Sequence, residues 1–467
     1  MLAKYLFRAA LTAYTLLVLS ACSGPLTAPR SPLPSPTISL ATCADVDANW
    51  GEDWTATLAA LEELNALGVS CGTEPLPRKI YAAHFNYATA LEEKGEVGAA
   101  LEHYEAAFLL DSRRQEALSA LIRLDALPEP TPPICTDPGT RLPDPALPPS
   151  PNRPAFVTTE NEQLILEGEV FRVRGVNYYP RDAPWHRFLE EADPAKVGTE
   201  LDLIQKAGFN TIRIFLWYDP LFTCAPEDAL PDEAAFRRVD MLLASARERD
   251  LRVIVTLNDL PDLTFRPLYT DWARYDAQTV YIVRRYRHEP HILAWDLRNE
   301  GDLDYGAHRE EEGRFSEEEV LRWLAHSSEV VRENDPHHLL TAGWWGDPLA
   351  TAPYVDLLSF HHWWDAERLQ TRIETYQEQT NKPLLLEEIG YHSWATAPHN
   401  PRSERTQAEL LQAALGTVEE EDLAGWVVWT AFDFVPAAGL PATHEHFFGL
   451  WRSNLSPKPA LDILPLP

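Results

Sequence analysis

The sequence predicts an α/β fold, a (β/α)8 TIM barrel, preceded by a small all-α N-terminal domain. Three observations carry this. From residue 155 onward, eight short β-branched runs alternate with amphipathic helical stretches, the pattern of a parallel sheet closed on itself. Over residues 45–127 the apolar residues instead recur at helical spacing. Of the chain's 39 prolines, five fall in residues 25–37 and eleven in residues 128–154, so these two stretches read as extended tethers. The division that follows is an export segment at 1–22, a Pro-rich tether at 23–42, a helical domain at 43–127, a Pro-rich linker at 128–154 and a barrel at 155–467. With 71 acidic against 40 basic residues the net charge is −31, which offers no electrostatic footprint for nucleic acid. A 45% hydrophobic content equally excludes a disordered acidic chain.

Lys4 and Arg8 open an apolar run at 9–19 that is too short to span a bilayer and has the layout of an export signal. It ends in Leu19-Ser20-Ala21-Cys22, which resembles the lipobox of bacterial lipoproteins. That resemblance implies lipidation of Cys22 after cleavage and a chain held at the cell surface or periplasmic face by its acyl anchor alone. A plain secretory signal is the alternative. Cys43, Cys71, Cys135 and Cys224 remain, an even number in a compartment that permits disulfides. Of the three possible pairings, Cys43–Cys71 is favoured because the two flank the first predicted helix; no C-x-x-C spacing supports a metal site.

Trp54, Leu58, Leu61 and Leu64, then Tyr81, Phe85, Ala88 and Leu91, then Ala100, Tyr104 and Ala107 predict three or four short helices. Residues 81–114 resemble a single tetratricopeptide repeat, with Ala88, Gly95, Ala100, Tyr104 and Ala107 at its small and aromatic positions. The resemblance implies a groove for a protein partner; a spacer is the alternative, since repeat arrays need about three units to bury a continuous core. At roughly 3 Å per residue the linker lets the barrel stand away from this unit.

The eight runs are 171–175, 211–216, 252–257, 292–297, 339–342, 355–360, 383–387 and 425–429, with helices at 195–207, 233–249, 272–287, 316–334, 366–380 and 404–421. A doubly wound open sheet would place a Gly-rich phosphate turn after its first strand, and residues 174–179 carry one glycine only. In a barrel the chemistry sits at the C-terminal strand ends. There the fourth run ends in Asn299-Glu300, the seventh in Glu387-Glu388 and the sixth in His361-His362-Trp363-Trp364, while the second carries Arg213. Two carboxylates at one barrel mouth are what glycosidic cleavage requires, one to protonate the leaving oxygen and one to attack the anomeric carbon or activate water.

Phe171-Arg172-Val173-Arg174-Gly175-Val176-Asn177, Gly208-Phe209-Asn210-Thr211-Ile212-Arg213, Asn299-Glu300, Glu388-Ile389-Gly390 and Trp429 together resemble glycoside hydrolase family 5 of the retaining clan, in the right order over most of 160–460. The resemblance implies a β-glycoside hydrolase acting on β-linked glucan or mannan, with Glu300 as acid/base and Glu388 as nucleophile. It implies Arg213 beside the nucleophile, Asn299 on the sugar 2-hydroxyl, His361 at the end of strand six and Trp429 as a sugar platform. Trp363 stands where the family commonly has tyrosine, and Asn258 where many members have histidine. Both are assigned to substrate binding. Glu387 is expected to turn away from Glu388 by strand alternation. Trp185, Trp217, Trp344, Trp345, Trp364 and Trp451 are further candidate platforms near strand ends. His444-Glu445-His446 has metal-like spacing but reads as polar lining, and neither metal nor cofactor is expected. A glycan-binding lipoprotein without turnover and a metal-dependent barrel hydrolase are the competing readings.

Overall fold

The structure is a computed structural model and describes residues 41–72, 75–111, 114–124, 126, 155–223, 230–259, 268–269, 272–306 and 315–464. The signal segment with Cys22, almost all of the tether, the linker, Cys135 and Cys224 lie outside the described residues.

Five helices form the N-terminal unit: α1 (Cys43–Asn49), α2 (Trp54–Ala66), α3 (Leu76–Glu93), α4 (Val97–Leu110) and α5 (Gln115–Arg123). Their starts follow from capping chemistry. Thr42 and Asp45 make a reciprocal capping box on α1, and Asp53 caps α2 through the Ala56 amide. Ala88, Ala100 and Ala107 are fully buried between α3 and α4, so the small residues set how closely the two helices pack, with Tyr81 and Tyr104 filling the seam. Cys43 and Cys71 are joined in a disulfide that closes the α1–α2 hairpin, the favoured pairing.

Eight parallel strands follow: β1 (Val173–Asn177), β2 (Thr211–Phe215), β3 (Arg252–Thr256), β4 (Ile292–Asp296), β5 (Leu339–Thr341), β6 (Leu358–His362), β7 (Leu384–Ile389) and β8 (Gly425–Val428). Each pairs with its sequence neighbour and β8 returns to β1, while β5 and β6 meet through the Trp344–Phe360 bridge, leaving a nearly closed barrel. All six predicted helices are present within three residues of the expected bounds. Two strand starts move by more than one residue. Glu169–Phe171 belongs to a three-stranded antiparallel meander with Thr158–Glu160 and Gln163–Leu166, and β6 begins at Leu358 because the Asp356 and Leu357 amides turn to the Leu340 carbonyl.

The interior is layered. At the bottom Val173, Ile254, Ala294, Leu339 and Leu385 form an apolar plug, capped by Leu164 of the meander. Above it lies a polar storey of Arg213, Thr256, Asp296, Thr341, Ser359 and Glu387, all fully buried. The second, larger apolar core fills the space between strands and outer helices.

The helical unit does not stand away from the barrel, contrary to the expectation drawn from the linker. Asn86 Nδ2 donates to the Gly439 carbonyl at 2.7 Å, Arg78 pairs with Glu191, and Leu440 packs against the α3–α4 seam. The physical reason is shape: the loop after β8 presents a leucine and a backbone carbonyl that fit the α3 face.

Candidate active site

Glu300 follows β4 in a left-handed backbone conformation (φ 47°), fixed by its amide donating to the Gly343 carbonyl at 2.7 Å. A non-glycine residue held there stores strain that the surrounding hydrogen bonds must offset, which is common at functional sites. Glu388 comes from β7 on the other side of the mouth. Carboxylate oxygens of Glu300 and Glu388 and a ring nitrogen of His361 all lie within 4.8 Å of one another.

Arg213 organises the floor. Its Nη1 donates to Glu388 Oε1 at 2.5 Å and to Asn177 Oδ1 at 3.0 Å; its Nη2 donates to Asp296 Oδ2 at 2.6 Å and to Asn299 Oδ1 at 2.9 Å. Asp296 in turn accepts from Thr256 at 2.7 Å. One fully buried cation thus faces several carboxylates, and the geometry of its fork decides which oxygen each nitrogen serves.

Asn299 is held at both ends, accepting from Arg213 and donating through Nδ2 to Asp259 Oδ1 at 3.0 Å. Asp259 itself accepts from Tyr179, whose hydroxyl accepts from the Trp217 indole. His361 Nδ1 lies 2.8 Å from Glu300 Oε1 and 3.4 Å from Glu388 Oε2. Burial, with the Arg213 charge, holds this imidazole well below its ordinary pKa, so it is neutral. Trp363 donates its indole N–H toward Glu300 Oε1 at 3.4 Å.

Burial pushes the Glu388 carboxyl well above its usual range; the Arg213 cation opposes this and the nearby Glu300 charge adds to it. Glu387 departs from the alternation argument. Between Phe360–Leu386 and His361–Glu388 the β6–β7 register slips by one residue, a β-bulge that spends Glu387 as the extra residue. Both glutamates then face inward, and Glu387 Oε1 sits 3.6 Å from Arg213 Nε. Burial, with the charge of Asp296, raises its pKa to about 8.

Asn258 is 2% exposed and gives its amide to the Leu297 carbonyl at 2.9 Å, tying β3 to β4 below the mouth. Trp429 is half-buried at the end of β8, edge-on to Phe215, with a cis peptide bond to Thr430. Among the other tryptophans, Trp217, Trp344 and Trp451 are core residues. Trp185, Trp345 and Trp364 are half-buried, the last two stacked on each other. Of the candidate ligand sets, Glu300, His361 and Glu388 converge, but the Arg213 guanidinium already occupies the counter-charge position a cation would take. His444 pairs with Glu445 at 3.1 Å while His446 Nδ1 accepts from Thr443, so the two imidazoles do not converge.

Sequence reasoning passed over Asp259, Asp296 and Gly343. Asp296 had a signal, a carboxylate ending an otherwise apolar buried strand. A Cβ at Gly343 would lie 2.5 Å from Glu387 Oε2 and 2.6 Å from His361 Nε2, so only glycine fits beneath the imidazole.

A family model described as cellulase (glycosyl hydrolase family 5) matches residues 171–433, more than half of the chain and the whole of the site just described. The chain belongs to glycosyl hydrolase family 5. Among family relatives, it is 24% identical over 221 residues to mannan endo-1,4-β-mannosidase F of Aspergillus fumigatus, covering 40% of this chain and 46% of that one. It is 24% identical over 234 residues to mannan endo-1,4-β-mannosidase A of Hypocrea jecorina, covering 44% and 50%. The chain thus spans about half the length of these curated relatives. Among solved structures, the endo-1,4-β-mannanase of Rhizomucor miehei superposes with a TM-score of 0.51 at 17% identity, covering 64% of this chain and 95% of that one. A Streptomyces cattleya family 5 protein in complex with Manβ1-4GlcNAc gives 0.52 at 23% identity, covering 62% and 78%. Both likenesses extend the family 5 barrel fold to this chain.

Proposed function

We propose that this family 5 member is a retaining β-glycoside hydrolase, with Glu300 as acid/base and Glu388 as nucleophile, and that its substrate is a β-linked mannan. The observation that carries the reading is the pair of carboxyls whose oxygens lie within 4.8 Å, with the Arg213 guanidinium bound to Glu388. Retaining enzymes place the two carboxyls at about 5 Å, close enough for direct attack and too close for an intervening water. The Arg213 guanidinium donates a charge-assisted hydrogen bond to Glu388, which favours the anion there, and double displacement then requires the proton on Glu300.

In the first step Glu388 attacks the anomeric carbon while Glu300 transfers its proton to the departing glycosidic oxygen. In the second, Glu300, now anionic, takes a proton from water as that water displaces Glu388. Asn299, its amide fixed by Arg213 and Asp259, presents its remaining N–H to the sugar 2-hydroxyl. Trp429 supplies a platform at the mouth, Trp363 steers Glu300, and Asn258 acts as a brace beneath them. The mannan preference is supported by the names of the relatives above.

Glu388→Gln should abolish hydrolysis of β-mannan and of aryl β-mannosides. Glu300→Gln should slow mannan cleavage by about 10²–10⁴ while a good aryl leaving group still departs in the first step. Undiminished turnover by either variant rejects the assignment; cleavage of β-glucan but not β-mannan by the unaltered chain rejects the substrate.

Leu19-Ser20-Ala21-Cys22 supports a lipidated N-terminus at Cys22 and a bacterial surface or periplasmic location, and the pairing of α3 with α4 supports a tetratricopeptide-like unit.

A further inference from the structure

The loop after β8 leaves the catalytic mouth, reaches the helical unit and comes back. Its outward limb is tied to the loop after β1, with the Val435 amide donating to the Arg181 carbonyl at 2.9 Å and Phe434 against Trp185. At its tip, Gly439 lies so close to the helical unit that a Cβ would stand 2.8 Å from the Trp50 ring and 3.1 Å from Ala82. Asn86 grips the Gly439 carbonyl, and Leu440 packs, partly buried, against the α3–α4 core cluster. The return limb forms the short turn His444–Phe447, capped by Thr443, and delivers Phe448 edge-on to Trp363, the indole that reaches Glu300. A second join runs to the β1 loop, where Arg78 pairs with Glu191, and His186 Nε2 lies 3.7 Å from Asp111. Trp185, between these holds, is a bulky residue with φ of 56°, a conformation that persists only where its surroundings enforce it.

We propose that the helical unit is an intramolecular clamp for the loops after β1 and β8, and that it determines affinity for extended β-linked oligosaccharides rather than docking a separate protein. The proposal rests on the hydrolase reading. The face of α3 that would receive a peptide is taken by residues 439–440 of the same chain. Each loop carries a half-buried aromatic side chain, Trp185 on the first and Phe447 on the second, which a long substrate reaching past the two carboxyls would meet. Free loops would have to be ordered at each binding event; clamped ones are ordered beforehand, and the entropy of ordering is removed from the binding step.

The test compares the full chain with Asn86→Ala/Leu440→Ser and, separately, with Gly439→Val. Melting curves and hydrogen exchange over residues 435–447 are measured alongside kinetics on an aryl β-mannoside and on β-1,4-manno-oligosaccharides of increasing length. Expected are faster exchange in the loop, a KM rise of about tenfold that appears only for the longer oligosaccharides, and kcat and aryl glycoside kinetics within twofold of the unaltered chain. Unchanged loop exchange, or a loss equal for all substrate lengths, overturns the clamp. Absence of turnover by the unaltered chain on every substrate would instead remove the hydrolase reading beneath it.

Discussion

Glu387 and Glu388 are adjacent in sequence, equally buried and in contact with the same arginine, yet the site asks opposite things of them. In the proposed mechanism Glu388 must be an anion when substrate arrives. Because burial and the neighbouring glutamate push its carboxyl up from 4.5, the acid limb of kcat/KM should lie above pH 4.5, with an alkaline limb where the proton on Glu300 is lost. Arg213→Lys, which keeps the charge but loses the fork, should move the acid limb further up and cost about 10²-fold in kcat/KM; an acid limb at or below pH 4.5 in the unaltered chain contradicts this account. Glu387, raised to about 8, holds its proton at neutral pH. Its folded-state pKa exceeds its unfolded one, so its stabilising contribution is complete below about pH 4.5 and is lost as pH rises through 8. Glu387→Gln should therefore melt higher than the unaltered chain at pH 8.5, with the gap closing toward pH 4.5. At this scale the two mouth glutamates were legible, because Asn-Glu and Glu-Ile-Gly follow strand ends. The orientation of Glu387 was not, because alternation presumes a regular ladder.

Elements were legible wherever a period was long enough to read. The barrel helices, the strand order and the small-residue seam between α3 and α4 all follow from residue spacing. Bounds failed where hydrogen bonding left the ladder, as at Asp356 and Leu357, and at Glu169–Phe171, where an apolar run serves an antiparallel meander rather than the barrel. The α1–α2 hairpin illustrates stabilisation through the unfolded chain. Its disulfide joins residues 28 apart, and loop-closure entropy for that separation is worth about 3–4 kcal/mol. Cys43→Ser/Cys71→Ser should accordingly lower the melting temperature of the helical unit and leave the barrel's transition in place; differential scanning calorimetry that finds no change places the stabilisation elsewhere.

For the molecule as a whole, composition located the tethers but not what the two folded units do to each other. A proline-rich spacer permits separation without enforcing it. What brings the units together is a fit between one glycine, one leucine and the α3 face, too few residues to stand out from any pattern. The proposed anchor belongs at this scale. Cys22→Ala should shift the protein from the membrane fraction to the soluble exported fraction with its hydrolytic activity intact, read by fractionation and assay; a membrane-bound variant argues for a different tether.

The bulge in β7 has a bearing on how this barrel tolerates change in its gene. Losing the codon for residue 387 would restore an even ladder with Glu388 still opposite His361, yet the storey around Arg213 would lose the buried, protonated carboxyl that fills it. Adding a codon nearby would swing Ile389 from the outer packing into the mouth. Point changes at these positions are graded in their effect, whereas length changes are all-or-none, so variation in β7 is expected to proceed by substitution alone.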